Sequence, residues 1–113
     1  METIDEDDLN EYLIANPVAT FLATASGHSM VGRGILDGDI LIIDRHVEAK
    51  HDDVVIAALD GQLTCKILDI HNEQLRPANP DISPISIYED NELIIEGVVI
   101  HSIRTHIAPG RVR

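Results

Sequence analysis

The sequence predicts a mainly β fold, built from antiparallel strands with one short helix near the N-terminal end. Apolar runs of roughly four to eight residues recur along the chain and are separated by turn-forming Gly, Pro, Asp and Asn, a pattern typical of strands. Between two of these runs, Asp60-Gly61 is a strong signal for a two-residue hairpin. Apolar residues at helical spacing are found in residues 9–13.

The predicted helix has one apolar face, at i, i+3 and i+4 spacing, formed by Leu9, Tyr12 and Leu13. Asp7 or Asp8 precedes it and is suited to cap its first turn, because a carboxylate accepts hydrogen bonds from free helical amides. Pro17 ends the helical pattern. Residues 1–8 form an acidic arm that we expect to be flexible.

Seven segments are predicted as strands, in order: residues 18–24, 40–43, 53–59, 63–68, 73–76, 85–87 and 92–107. Because Asp60-Gly61 joins two of them directly, the strand that carries Lys66 is expected to lie on an antiparallel hairpin. In the last and longest segment, Gly97 is the expected position of a bulge or bend.

Length and composition indicate one globular domain, and we expect residues 1–113 to form a single unit. Hydrophobic residues make up 44% of the chain and charged residues 25%, which is typical of a globular rather than a disordered protein. Because aromatic residues make up only 3%, the core is expected to be aliphatic.

The chain carries a formal charge of −12, from 20 acidic and 8 basic residues. This charge argues against sequence-specific DNA binding, which needs a basic face, and is compatible with a basic protein partner. A single cysteine, Cys65, excludes an internal disulfide and favours a reducing compartment, so we expect a cytoplasmic protein. We see no signal peptide and no membrane-spanning apolar run. The histidines lack metal-ligand spacing and no phosphate-binding loop is present, so neither metal nor cofactor is expected.

Ser29 is a candidate nucleophile and lies in residues 25–35. A predicted strand runs into this stretch, the chain turns at Gly27, and Ser29 follows just past the turn. A strand fixes such a turn while the serine side chain projects clear of it, which suits a nucleophile. Ser and Gly are also ordinary turn residues, so the same pattern is compatible with a simple loop.

Lys66 interrupts an apolar run in the second strand of the predicted hairpin. Strand alternation places Thr64, Lys66 and Leu68 on one face, so the lysine shares that face with an apolar side chain and a small hydroxyl. A lysine held against apolar surface has a lowered pKa and can act as a neutral general base. The alternative is an edge-strand lysine with its ammonium group in water.

Together these features resemble the LexA/UmuD family of self-cleaving Ser-Lys proteases, peptidase S24. The resemblance rests on the Ser-Gly-X-Ser-Met motif at 26–30, the segments 37–44 and 61–66, and the offset between Ser29 and Lys66. Within the family, the segments 77–79, 83–87 and 95–101 most resemble the UmuD branch, an accessory subunit of DNA polymerase V. The resemblance covers nearly the whole chain, from Asp8 to Arg104.

The resemblance implies a fold of curved antiparallel sheets, similar to LexA and signal peptidase and β-clip-like, with Ser29 as nucleophile and Lys66 as general base. It further implies that the backbone amides of His28 and Ser29 form an oxyanion hole and that Met30 supports the pocket. The His28 ring is a rival base, but neighbouring side chains in a turn point in different directions, which disfavours it. Asp37 and Asp39 are better explained as turn residues than as an acid pair or metal site.

The UmuD branch also implies partners: a second copy in a homodimer, a UmuC-type DNA polymerase, and RecA filaments on single-stranded DNA. The expected function is an accessory subunit of error-prone translesion synthesis in the SOS response. The family's precursors are cleaved in an N-terminal arm, between a small residue and Gly. Gly27 is the only glycine before Ser29, so we expect this chain to correspond to the processed form. Two alternatives remain: the C-terminal autoprotease and dimerisation domain of a LexA-type or phage repressor, and a catalytically silent binding module of the same fold.

Overall fold

The computed structural model describes residues 1–4, 8–87 and 92–111, and over these residues the chain is mainly β. Its helix α1 spans Leu9–Leu13, and short 3-10 turns lie at Pro17–Ala19, Val31–Arg33 and Pro109–Arg111. The strands are β1 Thr20–Thr24, β2 Ile40–Asp44, β3 Val54–Leu59, β4 Gln62–Asp69, β5 Gln74–Arg76, β6 Ile85–Ser86 and β7 Leu93–Ile103. The predicted fold class, mainly β with a short N-terminal helix, is confirmed.

The strands form one seven-stranded sheet in the order β1-β2-β7-β3-β4-β5-β6, and all the paired neighbours are antiparallel. The long strand β7 lies between β2 and β3, and its register shifts once against each of them. The shift against β3 lies beside Gly97, where a bulge or bend was expected. A Cβ on Gly97 would come within 2.6 Å of the Ile43 side chain, so glycine permits the close approach of β2.

The helix begins as predicted, with Asp8 as its N-cap. The Asp8 carboxylate accepts a hydrogen bond of 2.9 Å from the Asn10 amide, and a longer one from the next residue. The Tyr12 ring stacks on His101 of β7 at a centroid distance of 5.8 Å, so α1 lies on the sheet although none of its residues is buried. Asp7 lies outside the described residues, as does most of the acidic stretch of the predicted flexible arm.

Two predicted strand boundaries are wrong by two or more residues. The strand expected from Val18 begins at Thr20, because Pro17 opens a 3-10 turn in which the Thr20 hydroxyl donates to the Asn16 carbonyl at 2.6 Å. The strand expected to reach residue 107 ends at Ile103, because Ile103 pairs with Ile40, the first residue of the neighbouring strand β2.

The hairpin predicted at Asp60-Gly61 is confirmed. Asp60 and Gly61 have φ of 49° and 85°, so both central residues adopt the left-handed conformation that a tight hairpin of this twist requires. The turn aligns Leu59 with Gln62 and brings Lys66 opposite Val55 in the adjacent strand. Lys66 is therefore carried by a long, regularly paired strand rather than by a loop.

Two aliphatic clusters fill the interior, in keeping with the low aromatic content. One contains Met30, Ile35, Leu41, Ile43, Ile56 and Ile67. The other contains Val55, Ala57, Leu68, Leu75 and Val98. Met30 joins the first cluster directly after Ser29, so the serine loop is anchored in the core. Within the described ranges, the structure holds no helix that is long and apolar enough to cross a bilayer.

Candidate active site

The loop that carries Ser29 is held at its entrance by hydrogen bonds. After β1, the Ala25 amide donates to the Asp39 carbonyl at 2.8 Å, and the chain turns at Gly27, whose φ is 81°. The Gly27 amide donates to the Asp37 carboxylate at 2.7 Å. Asp37, predicted only as a turn residue, therefore also fixes the position of the serine loop.

A second segment holds the loop from the other side. We call residues 77–81, which follow β5, the strap. The Ala78 amide donates to the Ser29 carbonyl at 2.7 Å, and the Gly32 amide donates to the Ala78 carbonyl at 2.8 Å. A Cβ on Gly32 would lie 2.6 Å from that carbonyl oxygen, so this close approach requires glycine. The Asn79 side-chain amide completes the contact by donating to the His28 carbonyl at 2.9 Å.

Lys66 lies on β4 and reaches the half-buried Ser29 side chain. Its Nζ is 3.2 Å from Ser29 Oγ, 2.8 Å from Thr64 Oγ1 and 3.2 Å from the Cys65 carbonyl oxygen. Lys66 itself is only 9% exposed. The structure thus brings together the two side chains that the sequence singled out, and adds Thr64 as a third. The sequence analysis gave Thr64 no role. Its position two residues before Lys66, on the same strand face, could have indicated that the two side chains lie in contact.

Burial lowers the pKa of Lys66 below its ordinary value, because the buried ammonium loses hydration. A smaller opposing effect comes from Cys65. Among the described residues, no carboxylate forms an ion pair with Lys66, so nothing acidic restores its ordinary pKa. This environment favours the neutral amine.

The three oxygen contacts of Lys66 fit an ammonium group, which has three N–H donors, and they also fit a neutral amine. A neutral Nζ has two N–H donors and one lone pair. The Cys65 carbonyl can only accept, and Thr64 Oγ1 accepts through an oxygen lone pair, so these two groups take both donors. The third contact joins Nζ to Ser29 Oγ: a protonated Nζ donates to this oxygen, whereas a neutral Nζ presents its lone pair to the serine hydroxyl.

The backbone amides of His28 and Ser29 are the groups predicted to form an oxyanion hole. Neither donates a hydrogen bond to another group in the described part of the chain. The His28 side chain is exposed, and Ser29 is half-buried. His28 makes no side-chain contact with the neighbouring serine in the described residues, so the rival role as its base has no geometric support.

A cavity of about 260 Å³ opens beside Ser29 and Lys66. Its lining is mainly apolar and includes Phe21, Ala23, Met30, Ile35, Leu41, Leu63 and Cys65. Met30 is 3% exposed and belongs to the core cluster beneath the serine, the position expected of a pocket support. Burial raises the pKa of the Cys65 thiol to about 11, so at neutral pH it is a protonated, weakly polar part of the wall.

The described residues contain no group of three or more His, Cys, Asp or Glu side chains arranged to hold a metal ion. His51 and His71 lie with ring centroids 3.8 Å apart, but they are far along the chain from the serine loop. The groups gathered around Ser29 are hydroxyl, amine, thiol and backbone amide, which suit acyl transfer by a serine nucleophile.

Comparison with known proteins identifies the family. Residues 1–100 match the Peptidase S24-like family. Protein ImpA of Salmonella typhimurium is 43% identical over 105 residues, covering 87% of this chain and 68% of ImpA. Protein MucA of Escherichia coli is 39% identical over 103 residues, covering 89% of this chain and 70% of MucA. The LexA repressor of Syntrophotalea carbinolica is 40% identical over 86 residues, covering 74% of this chain and 43% of the repressor. The chain therefore belongs to the peptidase S24 family, the LexA/UmuD family that its serine and lysine motifs resemble.

Proposed function

We propose that this chain is a UmuD-type serine peptidase of the SOS response, with Ser29 as nucleophile and Lys66 as general base. The observation that carries the proposal is the 3.2 Å contact between Ser29 Oγ and the buried Lys66 Nζ, beside an apolar cavity. Membership of a peptidase family and similarity to ImpA and MucA support it. We also propose that residues 1–113 form a single peptidase and dimerisation domain.

In the first step, neutral Lys66 removes the proton from Ser29 as Oγ attacks the carbonyl carbon of a peptide bond. The negative charge that develops on the carbonyl oxygen faces the free amides of His28 and Ser29. Lys66 then gives its proton to the leaving amine, the C–N bond breaks, and an acyl-enzyme remains on Ser29. Thr64 keeps the amine directed at the serine throughout.

In the second step, water replaces the departed amine. Lys66 removes a proton from this water, which attacks the ester carbonyl of the acyl-enzyme, and the same amides face the new oxyanion. Collapse of this intermediate releases the carboxylic acid product, and the proton on Lys66 returns to Ser29 Oγ. Because burial lowers the pKa of the lysine, no acidic third residue is required to tune it.

The proposed cellular role is that of the UmuD branch. A homodimer of this chain would join a UmuC-type DNA polymerase in error-prone translesion synthesis in the cytoplasm, and RecA filaments on single-stranded DNA would stimulate cleavage of the precursor. The alignments to ImpA and MucA cover 87% and 89% of this chain, against 74% for the LexA repressor, which favours the UmuD branch. The acidic composition agrees with a protein partner rather than direct contact with DNA.

The second candidate is the autoprotease and dimerisation domain of a LexA-type or phage repressor. The 40% identity to a LexA repressor favours it, and the catalytic chemistry would be the same. Co-purification separates the two roles. A UmuD-type subunit is expected to be retained by a UmuC-type polymerase, whereas a repressor domain is not.

Trans-cleavage tests the peptidase itself. The substrate is full-length MucA in which the residue aligned with Ser29 is alanine, mixed with this chain and RecA filaments on single-stranded DNA. We expect a shortened MucA product with the wild type, none with Ser29→Ala or Lys66→Ala, and full cleavage with the exposed control Lys50→Ala. Cleavage by the Ser29→Ala variant would contradict the assignment. No cleavage by folded wild type would instead favour the catalytically silent module.

A further inference from the structure

Both peptide groups that flank Ser29 are held by the strap. The peptide before it presents the His28 carbonyl, which accepts from Asn79 Nδ2 at 2.9 Å. The peptide after it presents the Ser29 carbonyl, which accepts from the Ala78 amide at 2.7 Å. The bond to the Ser29 carbonyl is a main-chain bond, so only the side-chain bond from Asn79 can be removed by substitution.

The bond from Asn79 sets the direction of the Ser29 amide. In a trans peptide the C=O and N–H groups point in opposite directions. The His28 carbonyl and the Ser29 N–H belong to the same peptide, and the carbonyl points toward Asn79. The Ser29 N–H therefore points away from the strap, and it donates to no other group among the described residues.

Asn79 is itself fixed in orientation. Its Oδ1 accepts from the Asp81 amide at 2.9 Å, which leaves Nδ2 as the group directed at the His28 carbonyl. Both bonds are exposed to solvent. Water can replace such a bond with little loss of folding stability, but water cannot hold the peptide in one orientation. The contact is thus better suited to fixing loop geometry than to stabilising the fold.

We propose that Asn79 is a positioning residue that holds the 28–29 peptide so that the Ser29 amide faces the developing oxyanion. This inference rests on the proposed Ser29–Lys66 peptidase. Without the Asn79 donor, the peptide is free to rotate and to turn the His28 carbonyl toward the site of negative charge. An oxyanion would then meet a carbonyl oxygen in place of an N–H donor.

The test is the rate at which a fluorophosphonate labels Ser29. In this reaction Ser29 Oγ bonds to phosphorus, the P–F bond breaks, fluoride leaves and the serine proton passes to Lys66. The phosphoryl oxygen takes the place of the oxyanion. Asn79→Ala removes both side-chain bonds, whereas Asn79→Asp keeps an acceptor for the Asp81 amide, removes the donor and adds a negative charge.

We expect both variants to label about 10-fold to 100-fold more slowly, a loss no larger than the roughly 10²–10³-fold seen when an oxyanion donor is removed outright. The pH midpoint of labelling in Asn79→Ala is expected to stay at the wild-type value, because this variant changes no contact of Lys66 and adds no charge. Asn10→Asp, the same chemical change on the exposed face of α1, is expected to label at the wild-type rate. Thermal unfolding checks that each variant is folded.

The outcomes separate this inference from the function on which it rests. Wild-type labelling that requires Ser29 and Lys66, together with unchanged labelling of both Asn79 variants, would overturn the positioning role alone. A shifted pH midpoint in Asn79→Ala would also overturn it, because the residue would then act through the lysine. If folded wild type is not labelled at Ser29, the proposed peptidase fails and the role of Asn79 fails with it.

Discussion

Thr64→Val is the most informative single change near the dyad. Valine has nearly the same shape as threonine but lacks the hydroxyl that lies 2.8 Å from Lys66 Nζ, the shortest of the three contacts of that amine. The substitution leaves β-strand propensity almost unchanged. The lysine would keep its contacts to Ser29 and to the Cys65 carbonyl but lose the group that fixes its rotation.

The expected fall in the labelling rate follows from the loss of one hydrogen bond to Lys66. One hydrogen bond between protein groups contributes about 0.5–1.5 kcal/mol, and each 1.36 kcal/mol in an activation barrier changes a rate tenfold. We therefore expect the maximal rate of Ser29 labelling to fall by roughly 2-fold to 12-fold. The acceptor at Thr64 stabilises the ammonium more than the neutral amine, so its loss should lower the pKa of Lys66 further. The acidic limb of the pH–rate profile should then move to lower pH.

The assay is fluorophosphonate labelling of Ser29 followed across pH by mass spectrometry of the intact chain. Thr105→Val is the matched control, since Thr105 is exposed and lies outside the site. The reasoning is refuted if Thr64→Val labels at the wild-type maximal rate with an unchanged pH midpoint. A shift of the profile to higher pH would also refute it, because it would mean that Thr64 favours the neutral amine.

Three further predictions concern stability and loop geometry. Lys66→Met should fold and should abolish labelling of Ser29. Because the pKa of Lys66 is lower in the folded state than in the unfolded state, the free energy of unfolding of the wild type should rise as the pH increases toward 10.5. Denaturant unfolding should show no such rise in the variant. The Asp39 carboxylate is bound by Arg104, which lowers its pKa to about 2. The stability that this carboxylate gives to the folded state is therefore present above pH 3.8 and is lost as the pH falls toward 2. Arg104→Gln should reduce stability at neutral pH and flatten this acid limb; an unchanged acid unfolding curve would contradict the assignment. Gly32→Ala should lower stability by about 1–3 kcal/mol and slow labelling, because its Cβ meets a strap carbonyl at 2.6 Å, while Gly110→Ala meets nothing within 4 Å and should do neither.

Local chemistry made part of this molecule predictable from the sequence. The hairpin at Asp60-Gly61 follows from two adjacent residues that tolerate positive φ. The cap at Asp8 follows from one carboxylate before a helical pattern. Strand alternation alone places Thr64 and Lys66 on one face, and the observed contact between them agrees with that placement.

Contacts between distant segments were not predictable in the same way. Asn79 and His28 are 51 residues apart, and Arg104 and Asp39 are 65 apart. Nothing in the composition or spacing of either segment indicates such a pair, because only the folded sheet brings the segments together. The predicted end of the last strand at residue 107 was wrong for a related reason, since the strand ends at Ile103, opposite the first residue of β2, Ile40.

The family resemblance supplied what local patterns did not, namely the expectation that the serine and the lysine act together. A lone serine turn and a lone strand lysine each have an ordinary structural explanation. The structure adds the physical setting: burial that lowers the pKa of Lys66, and two oxygen acceptors that hold its amine beside Ser29. It also adds Asp37 and the strap, which fix the loop on either side of the serine.

The pH dependence of Ser29 labelling by a fluorophosphonate tests the central claim most directly. The account predicts that the label is found on Ser29, that its rate rises to a plateau with a midpoint below the ordinary lysine value of 10.5, and that Lys66→Met removes the reaction while the chain stays folded. Labelling of Ser29 at the wild-type rate in Lys66→Met, or a midpoint at or above 10.5, would contradict the claim that a buried neutral lysine activates this serine.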